Sequence, residues 1–358
     1  MERIKKNFGF GFMRLPMQDG EVDIAETNRM VDAFLDAGFN YFDTAHGYLQ
    51  GKSEKALKTC LTSRYLRDRY ILADKLTENF FKTEADIRPV FESQLEACGV
   101  DYFDFYLMHS QCSENYGHFK ACRAYETAFA LKEEGKVRHV GISFHGRPEL
   151  LEQILTEYPA IEVVQIQFNY VDYDDPSVQS RKCYEVCRKF NKPVIVMEPC
   201  RGGRLASLCP EGDALLRAVR PDLSIASWAF RWVLSLPNVG MVLSGMSDLE
   251  QARDNIATFS ACEPFSPTEG DALDRALELL KTQLFVPCTQ CHYCDGCPQG
   301  LDIPQLLGLY NNYRLSGGRM AYDQLSQASR PDRCISCGQC AAKCPQHIDI
   351  PAVMAIYD

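Results

Sequence analysis

The chain has 358 residues, a formal net charge of −10 and seventeen cysteines. That length suits one large domain plus a small one, and an acidic balance with no basic stripe argues against a nucleic-acid partner. No apolar run reaches the roughly 18 residues of a membrane span, and Met1–Lys6 opens onto no signal-peptide core, so a cytoplasmic protein with no membrane partner is expected.

Along the chain, short apolar runs alternate with amphipathic ones. Strand-like runs are Phe8–Gly11, Asn40–Phe42, Tyr70–Ala73, Phe105–Met108, Val137–Ile142, Val163–Ile166, Val194–Met197 and Val239–Leu243. Helix-like segments with apolar residues at three- and four-residue spacing include Glu26–Ala37, Glu84–Cys98, Ala121–Glu134 and Ser177–Phe190. Runs this apolar, separated by helices, read as parallel strands buried on both faces. Eight of them over about 255 residues predict a (β/α)8 barrel. A doubly wound sheet is the alternative, but no Gly-x-Gly-x-x-Gly follows any strand.

Polar residues fall at the strand ends: Asp43, Lys75, His109, Ser143 and Glu198, with Gln165 inside the sixth strand. In a barrel those ends share one face, so residues distant in sequence converge on one pocket. The stretch Tyr41–Tyr48 carries a carboxylate and a phenol five residues apart. A phenol with a pKa of roughly 10 is a weak acid near pH 7 and needs a neighbouring cation to become a useful one. Any single strand-end Asp or His is more often a satisfied turn residue than a catalyst, but polar ends on consecutive strands weaken that reading.

Texture changes after Cys262. Residues Glu263–Pro267 read as a linker and Thr268–Leu284 as an amphipathic helix, dividing the chain into a barrel over 1–262, a connection over 263–285 and a cysteine-rich domain over 286–358. Nine cysteines are scattered between Cys60 and Cys262 and read as small buried hydrophobes; the other eight lie between Cys288 and Cys344. In a cytoplasmic chain such crowding points to metal rather than disulfides. Cys288, Cys291, Cys294 and Cys297 form C-x2-C-x2-C-x2-C-P, and Cys334, Cys337, Cys340 and Cys344 form C-x2-C-x2-C-x3-C-P. Three closely spaced thiolates wrap one iron–sulfur cube while the fourth cysteine serves the other cluster. Cys288, Cys291, Cys294 and Cys344 are therefore assigned to one [4Fe-4S] cluster, and Cys334, Cys337, Cys340 and Cys297 to a second. Zinc is the competing reading. Cys297–Pro304 also reappears as Cys344–Pro351, each copy with an Asp, Asp302 or Asp349, able to cap a helix. Gln305–Tyr313 and Met320–Ala328 look helical as well, giving a mainly helical ferredoxin-like module.

Taken together, the sequence resembles the aldo-keto reductase family, in the branch with a C-terminal ferredoxin-type domain. The resemblance rests on Phe42–Ala45 with Tyr48, Ser53 and Glu54, on Ala73–Lys75, on Tyr106–His109, on Gly135–Ser143, on Gln165–Asn169 and on Ser244 through Asn255. It implies a catalytic tetrad of Asp43, Tyr48, Lys75 and His109. Tyr48 would be the general acid, with Lys75 favouring its phenolate, Asp43 holding the ammonium and His109 donating to the substrate carbonyl. It further implies NADPH or NADH, held by Ser143 and Gln165 at the carboxamide. Pro199, Arg201, Gly202 and Gly203 would cover the pyrophosphate, and Ser244, Gly245, Ser247, Gln251 and Asn255 the adenosine end. Three departures stand out. No aromatic residue is found at Met197–Pro199 to stack on the nicotinamide, Phe144 replaces the usual Asn, and Gly245 and Gln251 replace the cations that commonly read a 2′-phosphate. Nothing in the sequence therefore favours NADP over NAD.

The expectation is a nicotinamide-dependent oxidoreductase acting on a small carbonyl or alcohol, with clusters that exchange electrons with a redox partner protein or brace the tail. Hydride carries two electrons and a cluster takes one, so direct exchange needs a flavin, for which no motif is present. The alternative is an electron carrier or redox sensor with a non-catalytic or flavin-binding barrel.

Overall fold

The computed structural model describes residues 4–175, 178–281, 286–316 and 325–356. By internal contacts the chain separates into two compact units. The first comprises 1–174, 179–199 and 229–264, and the second 175–178, 200–228 and 265–358.

The first unit contains a closed parallel barrel. Its strands are β1 (Phe8–Gly11), β4 (Tyr41–Asp43), β5 (Ile71–Leu76), β6 (Phe103–Gln111), β7 (Val137–Phe144), β8 (Val163–Gln167), β9 (Val194–Met197) and β10 (Val239–Gly245). A small antiparallel pair, β2 (Met17–Gln18) with β3 (Glu21–Val22), lies outside the barrel. All eight expected strands are present, several extended by a residue or more at their C-terminal ends, and closure excludes the doubly wound sheet.

Alternation along the strands decides what fills the barrel. Tyr41, Ile71, Ala73, Phe105, Leu107, Val163, Ile195, Met241 and Leu243 form one buried cluster. Two glycines make room for it. A Cβ on Gly141 would lie 2.5 Å from Val163 and 2.7 Å from Leu107, and one on Gly9 would lie 2.6 Å from Leu243. Two residues further along β4, β5, β6, β7 and β8 stand Asp43, Lys75, His109, Ser143 and Gln165. The same parity that packs the core therefore delivers one layer of polar groups at the C-terminal ends.

Among the helices, Ile24–Asp36 is capped by Asp23, and Glu84–Cys98 opens with a Thr83–Asp86 capping box. The expected helix over 121–134 is broken. Helices Tyr116–Ala121 and Ala124–Glu133 meet at Arg123, whose φ of 52° leaves helical space. Ser177 lies outside the described residues, and the helix there is Ser180–Lys189.

Within the second unit, Pro210–Val219 packs against Pro267–Lys281. The cysteine-rich segment has its own small core, which includes Val286, Leu301, Leu306, Leu307, Ile350 and Met354. Asp302 accepts from Gln305 N at 3.0 Å and Asp349 from Ala352 N at 3.2 Å, so both copies of the repeat begin a helix in the same way. These helices are Ile303–Ser316 and Ile350–Ala355. Of the helix expected over 320–328, residues 320–324 lie outside the described set, and Gln327–Ser329 form only a 3-10 turn. No described helix is long and apolar enough to cross a membrane.

Candidate active site and candidate metal centres

Asp43 closes β4, and the chain then enters a tight left-handed winding with φ values of 98° at Gly47, 51° at Leu49, 58° at Gln50 and 82° at Gly51. Left-handed backbone is costly for Leu and Gln, and such strain persists only where surrounding contacts hold it. Here they do. Ser53 Oγ donates to Phe12 O at 2.9 Å and takes the Thr44 hydroxyl at 2.7 Å. Both carboxylate oxygens of Glu54 lie 3.0 Å from His46 Nδ1. The Ser–Glu pair after the turn is thus a clamp that sets Tyr48 over the strand end.

Lys75 is fully buried and donates from Nζ to Asp43 Oδ1 and to Thr44 O, each at 2.6 Å. Its ammonium lies 4.9 Å from the centre of the Tyr48 ring. Burial raises the Asp43 carboxyl, and the Lys75 charge and hydrogen bond pull it back part of the way. His109 Nε2 is 3.4 Å from the Tyr48 hydroxyl, and its Nδ1 is 2.8 Å from Thr77 Oγ1. Burial, then the nearby Lys75 charge and His145, hold His109 well below the usual histidine range, so its ring is neutral at pH 7. The four sequence-predicted tetrad residues are therefore gathered in one place. Thr77 was not anticipated; only its position two residues after the strand lysine could have suggested it.

Behind Lys75, Asp74 accepts its backbone N–H at 2.8 Å, and burial followed by the Glu54 carboxylate raises Asp74 far above the carboxylate range. Glu54, Asp74 and Cys98 converge within 4.8 Å of one another, all buried.

The expected nicotinamide residues divide. Ser143 and Gln165 pair in register between β7 and β8 and are buried, and Gln165 Oε1 has no hydrogen-bond partner. A buried acceptor left unpaired costs about 1–3 kcal/mol. The NH2 of a carboxamide is the kind of donor it lacks, so this pair fits a nicotinamide. Asn255 Nδ2 donates to Ser244 Oγ at 3.1 Å, tying β10 to the helix Leu249–Ala261. Ser247 and Gln251 are engaged at that helix N-terminus, where Asp248 accepts from Gln251 N at 2.8 Å and Ser247 N donates to Gln251 Oε1 at 3.0 Å. A Cβ on Gly245 would lie 3.0 Å from Arg14, so an arginine distant in sequence stands beside the position where the usual cation is missing.

Pro199 is buried at the end of the first unit's β9 segment, and Arg201–Gly203 form a 3-10 turn in the second unit, with Arg201 buried. In that unit the turn meets the first cysteine run. Arg204 Nε donates to Cys288 O at 2.7 Å, and a Cβ on Gly202 would lie 2.1 Å from Thr289 O.

The cysteines of the tail surround two cavities. One is lined by Cys288, Cys291, Cys294 and Cys344. The other is lined by Cys297, Cys334, Cys337 and Cys340. Each run contributes its last cysteine to the cavity of the other. Left-handed residues produce the wrapping: Gln290, His292 and Gly296 in the first run, Ser336 and Gly338 in the second. Burial, then the neighbouring thiols, raise the Cys294 thiol, and burial raises Cys344. Four converging thiols without cations cannot all ionise, so the donor set calls for metal.

Residues 7–278 match the family model for the aldo/keto reductase family, and residues 287–348 match that of a 4Fe-4S dicluster domain. The chain belongs to the aldo/keto reductase family. Among its relatives is the oxidoreductase YqkF of Bacillus subtilis, 26% identical over 65% of this chain and 81% of that one. A solved aldo-keto reductase of Bacillus halodurans in its holo form is 25% identical, covering 75% of this chain and 91% of the other with a TM-score of 0.61. An aldo-keto reductase of Klebsiella pneumoniae, solved in complex with NADPH, shares the fold at 21% identity with a TM-score of 0.61, covering 75% of this chain and 90% of that one. This aldo/keto reductase is an NAD(P)H-dependent oxidoreductase carrying an iron–sulfur domain.

Proposed function

We propose that the barrel reduces a small carbonyl compound, or oxidises the corresponding alcohol, with Tyr48 as general acid and base. The observation that carries this reading is the buried Lys75–Asp43 pair beneath the Tyr48 ring, with neutral His109 at the phenol oxygen. A bound nicotinamide supplies or accepts the hydride. As charge builds on the substrate oxygen, the Tyr48 hydroxyl gives it a proton, and the resulting phenolate is stabilised by the Lys75 ammonium until a proton returns from solvent. Asp43 keeps that ammonium in place and offsets its burial. Ser143 and Gln165 hold the carboxamide, Gln165 Oε1 gaining the donor it otherwise lacks.

In the tail, Cys288, Cys291, Cys294 and Cys344 would hold one [4Fe-4S] cluster and Cys297, Cys334, Cys337 and Cys340 another. Bound there, such clusters supply one-electron chemistry, and a redox partner protein is the counterpart this implies. The two cavities, each ringed by four thiols, support this assignment. Anaerobic turnover of a panel of carbonyls with NADH and NADPH, in wild type and Tyr48→Phe, tests the barrel reading. Equal turnover in the two proteins would refute it.

A further inference from the structure

We propose that Asp74 and Glu54 share one proton, and that this acid–carboxylate bridge fastens the turn carrying Tyr48 to the strand carrying Lys75. Both are positioning residues, and their effect on the reaction rests on the barrel reading above.

Side chains alternate across a strand, so Lys75 faces the barrel interior and Asp74 faces the opposite way. There Asp74 meets Glu54, from the helix Lys52–Leu57, and Cys98, the last residue of the helix Glu84–Cys98. All three side chains are buried, and their polar atoms lie within 4.8 Å of one another. Asp74 Oδ1 accepts from Lys75 N at 2.8 Å, and Oδ2 accepts from the Cys98 thiol at 3.7 Å. Among the described residues, no lysine or arginine pairs with either carboxyl. The Lys75 ammonium is committed to Asp43 and Thr44 on the other side of the strand, and Lys58 donates to Glu96 O at 3.1 Å. The groups that face the pair from β6 and from the helix Glu84–Cys98 are neutral. Tyr106 donates its hydroxyl to Gln94 Oε1 at 2.7 Å, Gln94 Nε2 donates to Lys75 O at 3.0 Å, and burial keeps the Tyr106 phenol and the Cys98 thiol protonated.

Two buried carboxyls this close, without a cation, cannot both ionise. One retained proton turns their repulsion into a charge-assisted hydrogen bond. His46 decides where that proton sits. Its Nδ1 lies 3.0 Å from both Glu54 oxygens, and an N–H there stabilises negative charge on Glu54. The proton therefore belongs to Asp74, which burial and then the Glu54 carboxylate also favour. The result is a clasp. Lys75 holds residues 43 and 44 from inside the barrel, and Asp74 holds Glu54 from behind the strand. The segment carrying Tyr48 is thus pinned at both ends to two adjacent residues of β5. When the shared proton leaves at alkaline pH, one of those pins becomes a repulsion.

Infrared spectroscopy of the full-length protein reads the proton directly, as a carboxylic-acid C=O band that persists at neutral pH. That band should vanish in Asp74→Asn and also in Glu54→Gln, because either amide supplies an N–H in place of the shared proton. A band that survives in Glu54→Gln, or none lost in Asp74→Asn, overturns the proposal. Folded Asp74 keeps a proton that the unfolded chain, with a pKa near 3.9, gives up. Its contribution to stability therefore falls as pH rises above that value. Asp74→Asn should raise the unfolding midpoint of the barrel by an amount that grows from pH 5 to pH 8, and a gap that stays constant with pH contradicts the bridge. For positioning, Asp74→Val, which cannot donate, should lower kcat/KM about tenfold, and Asp74→Asn should restore it to within about twofold of wild type. Equal losses in the two variants, or no loss in either, remove the positioning role. A divalent metal bound in stoichiometric amount by wild type and lost in Asp74→Asn would make these side chains ligands and overturn the shared proton. The infrared and unfolding measurements need no turnover, so failure of the barrel reading is seen separately, as Tyr48→Phe turning over like wild type.

Discussion

The barrel mouth and the cysteine-rich tail reach an ordered site by opposite routes. In the barrel, the polar groups come from the ends of separate strands, and the protein's own hydrogen bonds hold them: Lys75 to Asp43 and Thr44, His109 to Thr77, Ser53 to Phe12. In the tail, the candidate ligands come from two short contiguous runs, and the thiols line their cavities together with apolar side chains such as Leu307, Ile350 and Met354. The first kind of site is organised before its cofactor binds. The second would be completed by metal, because four thiolates around one cavity repel until a cation balances them. Metal binding there is also folding energy.

Paired cysteine variants test the crossed arrangement most severely. Cys288→Ala with Cys344→Ala should remove about half the iron, because both residues serve one cavity. Cys334→Ala with Cys344→Ala should remove nearly all of it, although both lie in one run. Iron and sulfide analysis of anaerobically purified protein checks this, and equal losses from the two pairs would break the contrast. In the barrel, Tyr48→Phe should lower kcat/KM by about 10²–10⁴-fold while leaving iron content unchanged. Lys75→Met leaves Asp43 buried without its counter-charge and should cost about 3–5 kcal/mol in denaturant unfolding. Adding Asp43→Asn should recover much of that loss without recovering turnover.

The smallest effect concerns pH. Burial lowers the folded-state pKa of His109 below the unfolded value near 6.5, so its contribution to stability is complete above that pH. As pH falls below 6.5 the unfolded chain takes up a proton that the folded one refuses. Stability should then drop by about 1.4 kcal/mol per pH unit until the folded pKa is reached. Unfolding midpoints between pH 5 and 7, compared with His109→Asn, isolate this term; parallel profiles would contradict it.

The amino-acid sequence determined the strand count, the barrel and the crossed cysteine pattern, because each is written in short-range periodicity: alternation and run length for strands, two-residue gaps for thiols. It also offered Asp43, Lys75 and His109, since strand-end polar residues in a barrel share one face, and Tyr48 in the turn after the second strand. Tertiary structure alone decided which partner each of these meets. Thr77 beside His109, Arg14 against Gly245 and Arg204 on the Cys288 carbonyl are contacts between separate segments of chain. No local pattern records them, because a hydrogen bond needs only proximity and direction, and a folded chain supplies both from residues tens or hundreds of positions apart.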